Sequence, residues 1–272
     1  MSAETKPFPR VTARTLIEHK ATGRKIVCLT AYDAIYAAIE EEAGVDLLLI
    51  GDSAGNVIAG HTTTIPMTMD AMLFLTRCVA RGSRKAMIVA DMPFGTFQIS
   101  TEDTILNAIR FMKEGGAQGV KLEGAGYLLD TIRRLVEVGI PVMGHVGLTP
   151  QKVNIYGGFP VQGQTEREAE QIEADARALQ DAGIFSLVLE KIPATLAARI
   201  TKQLAIPTIG IGSGPDCDGQ ILVNYDLLGM MEKFKPKFVR RYLEGARLIR
   251  EAVSRWAEDV RAGRYPTSEE SY

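Results

Sequence analysis

Six side chains carry the chemistry this sequence could do. Asp52, Asp91, Glu123 and Glu190 each close a short apolar run, Lys121 lies two residues before Glu123, and His145 sits in Gly144-His-Val-Gly147. Acids are 33 of 272 residues, so about one such run in eight should close on one, and here four of eight do. Carboxylates brought to one place repel each other unless protons or a cation offset them. Hard oxygen ligands without a thiolate suit Mg²⁺ or a similar ion. Lys121 offers a cation for a substrate carboxylate. Glu190 follows Leu187-Val-Leu189, an apolar wall that suits a carboxyl to proton transfer. Each residue also has a structural alternative. Asp52 and Asp91 could cap a loop or a helical turn, Lys121 and Glu123 could be an ion pair, and His145 could be a core histidine. His61, in a loop, and His19, on a surface helix, are read as non-catalytic.

The elements that must position these groups alternate along the chain. Short apolar, β-branched runs predict eight strands: Lys25–Ala31, Asp46–Asp52, Ala86–Met92, Gly119–Glu123, Pro141–Val146, Ser186–Glu190, Pro207–Ile211 and Ile221–Asn224. Amphipathic helices are predicted over Thr68–Ala80, Thr101–Glu114, Thr165–Ala182 and Pro193–Leu204. The first two residues of Thr165-Glu-Arg-Glu168 and of Ser100-Thr-Glu-Asp103 read as helix starts. Gly44, Gly116, Gly139 and Gly183 each stand between a helix and the next strand, as turn glycines do. Eight such units predict an α/β fold, a single-domain (β/α)₈ TIM barrel spanning residues 1–272. A helix at Thr12–Lys20 would cover its bottom, a long helix at Pro236–Ala262 would end it, and the tail Gly263–Tyr272 is polar. Active sites in such barrels lie at the carboxyl ends of the strands, where the acids fall. Lys121 and Glu123, two apart, share a face; facing outward would put two charges under a helix, so they face inward.

Composition excludes other classes. The net charge of −2 and the lack of a basic run exclude a general nucleic-acid binder. No apolar run approaches the roughly 18 residues of a membrane span. Met1–Arg10 has no apolar core of a secretory leader. Cys28, Cys78 and Cys217 form no pair or cluster and read as small hydrophobes in a reducing cytoplasm. Ile209-Gly-Ile-Gly-Ser-Gly214 lacks the spacing of a nucleotide fingerprint. Asn154–Gly163 lies in a long loop, which in a barrel is a lid or an interface segment.

Several of these stretches together are specific. Leu29-Thr-Ala-Tyr-Asp33, Ile50-Gly-Asp-Ser53, Ala90-Asp-Met-Pro-Phe94, Val120-Lys-Leu-Glu-Gly124, Gly144-His-Val-Gly-Leu-Thr-Pro150 and Leu187-Val-Leu-Glu190 resemble the ketopantoate hydroxymethyltransferase family. The resemblance runs from about Val11 to Pro266. It implies a barrel of the phosphoenolpyruvate/pyruvate superfamily. The implied reaction moves a hydroxymethyl group from 5,10-methylenetetrahydrofolate to 3-methyl-2-oxobutanoate through a Mg-stabilised enolate, giving 2-dehydropantoate for pantothenate synthesis. It further implies that Asp52, Asp91 and Glu123 hold Mg²⁺. Asp52, Ser53, Asp91 and Lys121 would contact the keto acid, His145 would help to position it, and Glu190 would accept a proton. A homo-oligomer, a decamer, is implied as well, with small molecules as the other partners.

Two alternatives stand beside this reading. A C–C lyase or phosphonomutase of the same superfamily shares metal-bound 2-oxo-acid chemistry. A lyase of the isocitrate type would carry a reactive Cys on a loop above the barrel, whereas Cys28 falls in a strand, Cys78 in a helix and Cys217 beyond strand 7. A non-catalytic barrel would need no cluster of acids and Lys at one mouth.

Overall fold

Every run read as a strand contributes one in a computed structural model, which describes residues 10–233 and 235–272. The reading of Met1–Arg10 therefore lies, apart from Arg10, outside the described residues. The strands are β1 (Ile26–Thr30), β2 (Leu47–Ile50), β3 (Met87–Asp91), β4 (Gly119–Glu123), β5 (Val142–Gly147), β6 (Ser186–Glu190), β7 (Thr208–Ile211) and β8 (Gly219–Leu222). Each pairs in parallel with the next, and β8 returns to β1 to close a barrel. Strands covered on both faces need apolar side chains throughout, and β2, β3 and β4 are buried at every position.

Helices occupy the connections. α1 (Ala13–Thr22) precedes the barrel, and α2 (Ala34–Glu42), α3 (Ala54–Val57), α4 (Met69–Gly82), α5 (Thr101–Arg110), α6 (Leu129–Glu137), α7 (Val153–Tyr156), α8 (Glu166–Asp181) and α9 (Ala194–Gln203) follow. The expected starts are present: Ser100 caps α5, and Thr165 forms a capping box with Glu168 on α8. The helix expected to reach Glu114 instead widens into a π turn over Phe111–Gly115. Gly44, Gly116, Gly139 and Gly183 have φ of 93°, 79°, 88° and 96°, a region that disfavours any other residue.

The barrel interior sets the site. Leu47, Leu49, Met87, Val89, Met143, Val188, Ile209 and Ile221 form one core, joined by Leu16 of α1. Leu16 is fully buried against the first residues of the strands, so α1 covers the bottom as expected. Two residues on from Val89, Met143 and Val188, the same inward rows reach Asp91, His145 and Glu190.

Two of the strand boundaries that differ from expectation have a local cause in the backbone. β2 stops at Ile50, so Asp52 lies beyond the strand, in the turn that opens α3. β8 starts two residues before Ile221, because Gly219 lets the two backbones meet; a Cβ there would stand 2.5 Å from the Ile26 carbonyl oxygen.

The chain forms two compact units, Met1–Val223 and Asn224–Tyr272. The second holds α10 (Asn224–Leu227) and α11 (Gly245–Arg261). α11 begins nine residues later than Pro236 because the intervening backbone bonds elsewhere. The Tyr242 and Gly245 N–H groups donate to the Leu227 and Leu228 carbonyls at 2.8 and 2.9 Å. The tail is exposed and contains one 3₁₀ turn, Ser268–Glu270, capped by Thr267. No helix among the described residues is long and apolar enough to cross a membrane.

Candidate active site

Strand register aligns the charged groups side by side. Asp91 of β3 stands opposite Lys121 of β4, Glu123 opposite His145 of β5, and Gly147 opposite Glu190 of β6. Lys121 Nζ donates to both oxygens of Asp91 at 2.8 Å and lies 3.7 Å from Glu123 Oε1. His145 stands between two carboxylates, Nδ1 at 3.5 Å from Glu123 and Nε2 at 3.3 Å from Glu190. These His145 contacts are close ion pairs without aligned hydrogen bonds. Asp52 joins from its turn: its N–H donates to Asp91 Oδ2 at 3.4 Å, and its carboxylate accepts from Gln151 Nε2 at 3.0 Å. Gly147 is required at this point, because its φ is 92° and a Cβ would stand 2.3 Å from the Glu190 carbonyl oxygen.

Burial dominates the electrostatics. Burial first, then the Asp91 and Glu123 charges, push the Asp52 carboxyl up to about 8. Burial also raises Asp91, against the pull of Lys121. Glu123 moves down. Burial would raise it, but His145, Lys121 and the Gln151 N–H outweigh that. Burial favours neutral Lys121, yet Asp91, Glu123 and Asp52 hold it above its ordinary value. Burial and Lys121 press His145 down, while Glu123 and Glu190 outweigh them and lift it to about 9. Lys121 and His145 are thus both shifted toward their charged forms.

One oxygen each from Asp52, Asp91 and Glu123 lie within 4.8 Å of one another. Three hard oxygens fit a divalent cation, and Asp52 needs added positive charge to ionise at neutral pH. Glu190 stands apart from that triad, and its side chain is 16% exposed against 3% for Asp91 and Glu123. A cavity of about 390 Å³ borders the cluster at Glu123, and Ile65, Phe94, Tyr127, Gln151 and Ile155 also line it.

A family model of ketopantoate hydroxymethyltransferase matches residues 10–268. The chain belongs to this family. It is 51% identical over 272 residues to the 3-methyl-2-oxobutanoate hydroxymethyltransferase of Prosthecochloris aestuarii, covering 98% of this chain and 98% of that one. Its fold is similar to phosphonopyruvate hydrolase in complex with oxalate and Mg²⁺, with a TM-score of 0.62 and 13% identity over 95% of this chain and 92% of that one. It is also similar to 2,3-dimethylmalate lyase, a PEP mutase/isocitrate lyase superfamily member, with a TM-score of 0.60 and 17% identity over 96% and 91%. Identities that low show the common barrel and not the reaction.

In this ketopantoate hydroxymethyltransferase family member, six of the seven expected residues converge. Ser53 follows Asp52 but turns its hydroxyl to Tyr32, 2.9 Å away. Tyr32 was unmarked in the sequence, although it lies in a stretch that carries the resemblance. Gln151 was also unmarked: a neutral amide carries no charge signal, and only its place just after β5 hinted at the mouth. The long loop after β5 does reach the site, since Ile155 of α7 is a cavity wall. His19, expected on a surface, is buried at 9% exposure because α1 turns that face to the barrel. His61 is exposed in a loop. The Ser213 hydroxyl of the glycine-rich stretch donates to the Leu189 carbonyl at 2.7 Å, which binds that turn to β6.

Proposed function

We propose that this chain adds a one-carbon unit at C3 of 3-methyl-2-oxobutanoate to give 2-dehydropantoate, toward pantothenate. The donor is 5,10-methylenetetrahydrofolate, and Mg²⁺ is held by Asp52, Asp91 and Glu123. The observation that carries this reading is the triad of carboxylates within 4.8 Å, beside Lys121 and with Glu123 lining a cavity, in a chain of this family.

Bound there, the metal supplies Lewis-acid chemistry to a 2-oxo acid. Lys121 meets the substrate carboxylate while Asp91 and Glu123 keep it charged. Asp52, Ser53, Asp91 and His145 fix the orientation of the keto acid. Glu190, the most accessible of these carboxylates, accepts the C3 proton, and His145 holds it in place. The carbon left at C3 bonds to the methylene carbon of the donor. Both C–N bonds to that carbon break, water supplies the hydroxyl oxygen, and tetrahydrofolate leaves with two protons, the one taken from C3 and one from that water.

Glu190→Gln tests the role of the base. Exchange of the C3 proton into D₂O, followed by NMR, should slow by about 10²–10⁴-fold while Mg²⁺ binding persists. Unchanged exchange removes Glu190 from that role. The same reading includes a decamer in the cytoplasm. Ile35, Ile39 and Phe74, at 75%, 56% and 59% exposure on α2 and α4, support association between copies. Light scattering of the purified chain reads the assembly directly, and a monomer removes that part.

A further inference from the structure

Gln98 and Gln151 are neutral, and their hydrogen bonds all run one way. Gln98 Oε1 accepts the backbone N–H of Gly95 at 2.7 Å and of Phe97 at 3.4 Å. A backbone N–H can only donate, so this end of the amide is fixed as oxygen. Gln98 Nε2 is then the atom facing Gln151 Oε1, 3.2 Å away. That contact turns Gln151 Nε2 to the opposite side, where it donates to Asp52 Oδ2 at 3.0 Å and to the Met92 carbonyl at 2.9 Å. The backbone N–H of Gln151 meanwhile donates to Glu123 Oε2 at 3.1 Å. Gln151 is 4% exposed, so water does not compete for these bonds. Asp52 needs such a hold more than its neighbours do, because it lies on a turn beyond β2 and not within a strand.

We propose that Gln98 and Gln151 form a one-way relay that aims the Asp52 carboxylate at the cation site. Gln151 is the positioning residue, and Gln98 sets which end of the Gln151 amide meets Asp52. The relay rests on the reading of Asp52, Asp91 and Glu123 as cation ligands. Groups behind metal ligands commonly set affinity by orienting those ligands. Neither glutamine has to touch the metal for the relay to act.

The test uses Mn²⁺ alone, titrated into the full chain without substrates, with free ion read by its EPR signal. Gln98→Glu keeps the shape and the oxygen that Gly95 and Phe97 need, but presents a second oxygen to Gln151 Oε1. Two oxygens then face each other, which pushes the Gln151 amide off the line that aims Nε2 at Asp52 and at the Met92 carbonyl. A negative charge added near the site would by itself tighten cation binding, so the relay predicts the opposite sign. Binding to Gln98→Glu should weaken by about tenfold or more, and Gln151→Met should weaken it to a similar degree. Thermal unfolding of each variant confirms that it is folded. A folded Gln98→Glu that binds Mn²⁺ as tightly as the parent chain, or more tightly, overturns the relay. If Gln151→Met does not fold, Gln98→Glu decides alone. A parent chain that binds no Mn²⁺ overturns the ligand reading and the relay with it.

Discussion

The two ends of the barrel treat carboxylates in opposite ways. At the bottom, Glu41 accepts from the Ser83 hydroxyl at 2.6 Å and from the N–H groups of Arg84, Lys85 and Ala86 at 2.8, 2.6 and 2.9 Å. Burial would raise this carboxyl, but the four donors outweigh it and hold the group below its ordinary range. Asp46 accepts from the Val27 N–H at 3.0 Å, and Asp218 from Lys20 at 2.7 Å and the Thr208 N–H at 2.8 Å. At the top, Asp52 accepts from Gln151 Nε2 at 3.0 Å, but it faces two further carboxylates whose charges, with burial, outweigh its side-chain donors. The residue type is nearly the same, and the partners decide its state. Donors at the bottom complete the charge within the protein, so those acids tie loops and strands together. Acids at the top lack enough positive charge of their own, which leaves part of their compensation to a ligand.

The strongest way to break this contrast is to remove Lys121, the buried amine between Asp91 and Glu123. Lys121→Met strands Asp91 without its nearest cation and takes from Glu123 one of its two, leaving it His145. The metal-free variant should lose about 3–5 kcal/mol of stability, measured by urea unfolding. Its kcat/KM should fall by about 10²–10³-fold. Mg²⁺ should recover part of the stability, because it binds only the folded triad. Unchanged unfolding would mean that the top, like the bottom, is complete without Lys121.

Removing an acid at the top should have the reverse effect on stability. Asp52→Asn takes away a carboxyl that burial and like charge oppose. The metal-free variant should gain about 1–4 kcal/mol at pH 7 while losing metal binding and activity. Asp52 has a folded pKa of about 8 against about 3.9 unfolded, so folding takes up a proton between those values. Metal-free stability of the parent should therefore fall as pH rises from about 4 to about 8. His145, lifted to about 9, adds to that trend from about 6.5 upward. Chemical denaturation across pH should show a shallower slope in Asp52→Asn. Equal slopes would remove Asp52 from the account.

Much of this architecture was legible because it depends on pattern. β4 and β6 fall where the apolar runs begin and end, and both close on a carboxylate. The two-residue period of a strand puts Lys121 and Glu123 on one face from the sequence alone. Asp52 was legible as a type of residue and not as a position, since a turn and not strand parity brings it in. Gly219 falls outside the predicted strand because a glycine looks the same in a turn as in a strand pressed against β1. Gln98 and Gln151 were illegible for a deeper reason. Their contribution is a direction, which end of an amide faces which oxygen, and direction exists only once Gly95, Phe97 and Met92 are placed around them. Pairing by charge can be guessed from composition and spacing, whereas orientation of neutral dipoles needs the fold.

The smallest expected effect lies at the bottom and has the opposite sign of pH dependence. Glu41→Gln keeps the shape of the side chain but replaces one accepting oxygen with an NH₂ that faces N–H donors. Solvent reaches this group, so the loss should be about 1–2 kcal/mol, below that of a fully buried charged bond. A carboxyl held below its unfolded value contributes stability above about pH 4.3 and loses it as pH falls through its folded value. The difference between Glu41→Gln and the parent should therefore be full at pH 7 and shrink on acidification, while the mouth gains stability over the same change. Catalytic efficiency should stay within about twofold, because Glu41 touches only the segment entering β3. A Glu41→Gln variant that loses activity in proportion to Lys121→Met would show that the two ends of the barrel are coupled, and the division between a structural bottom and a chemical top would fail.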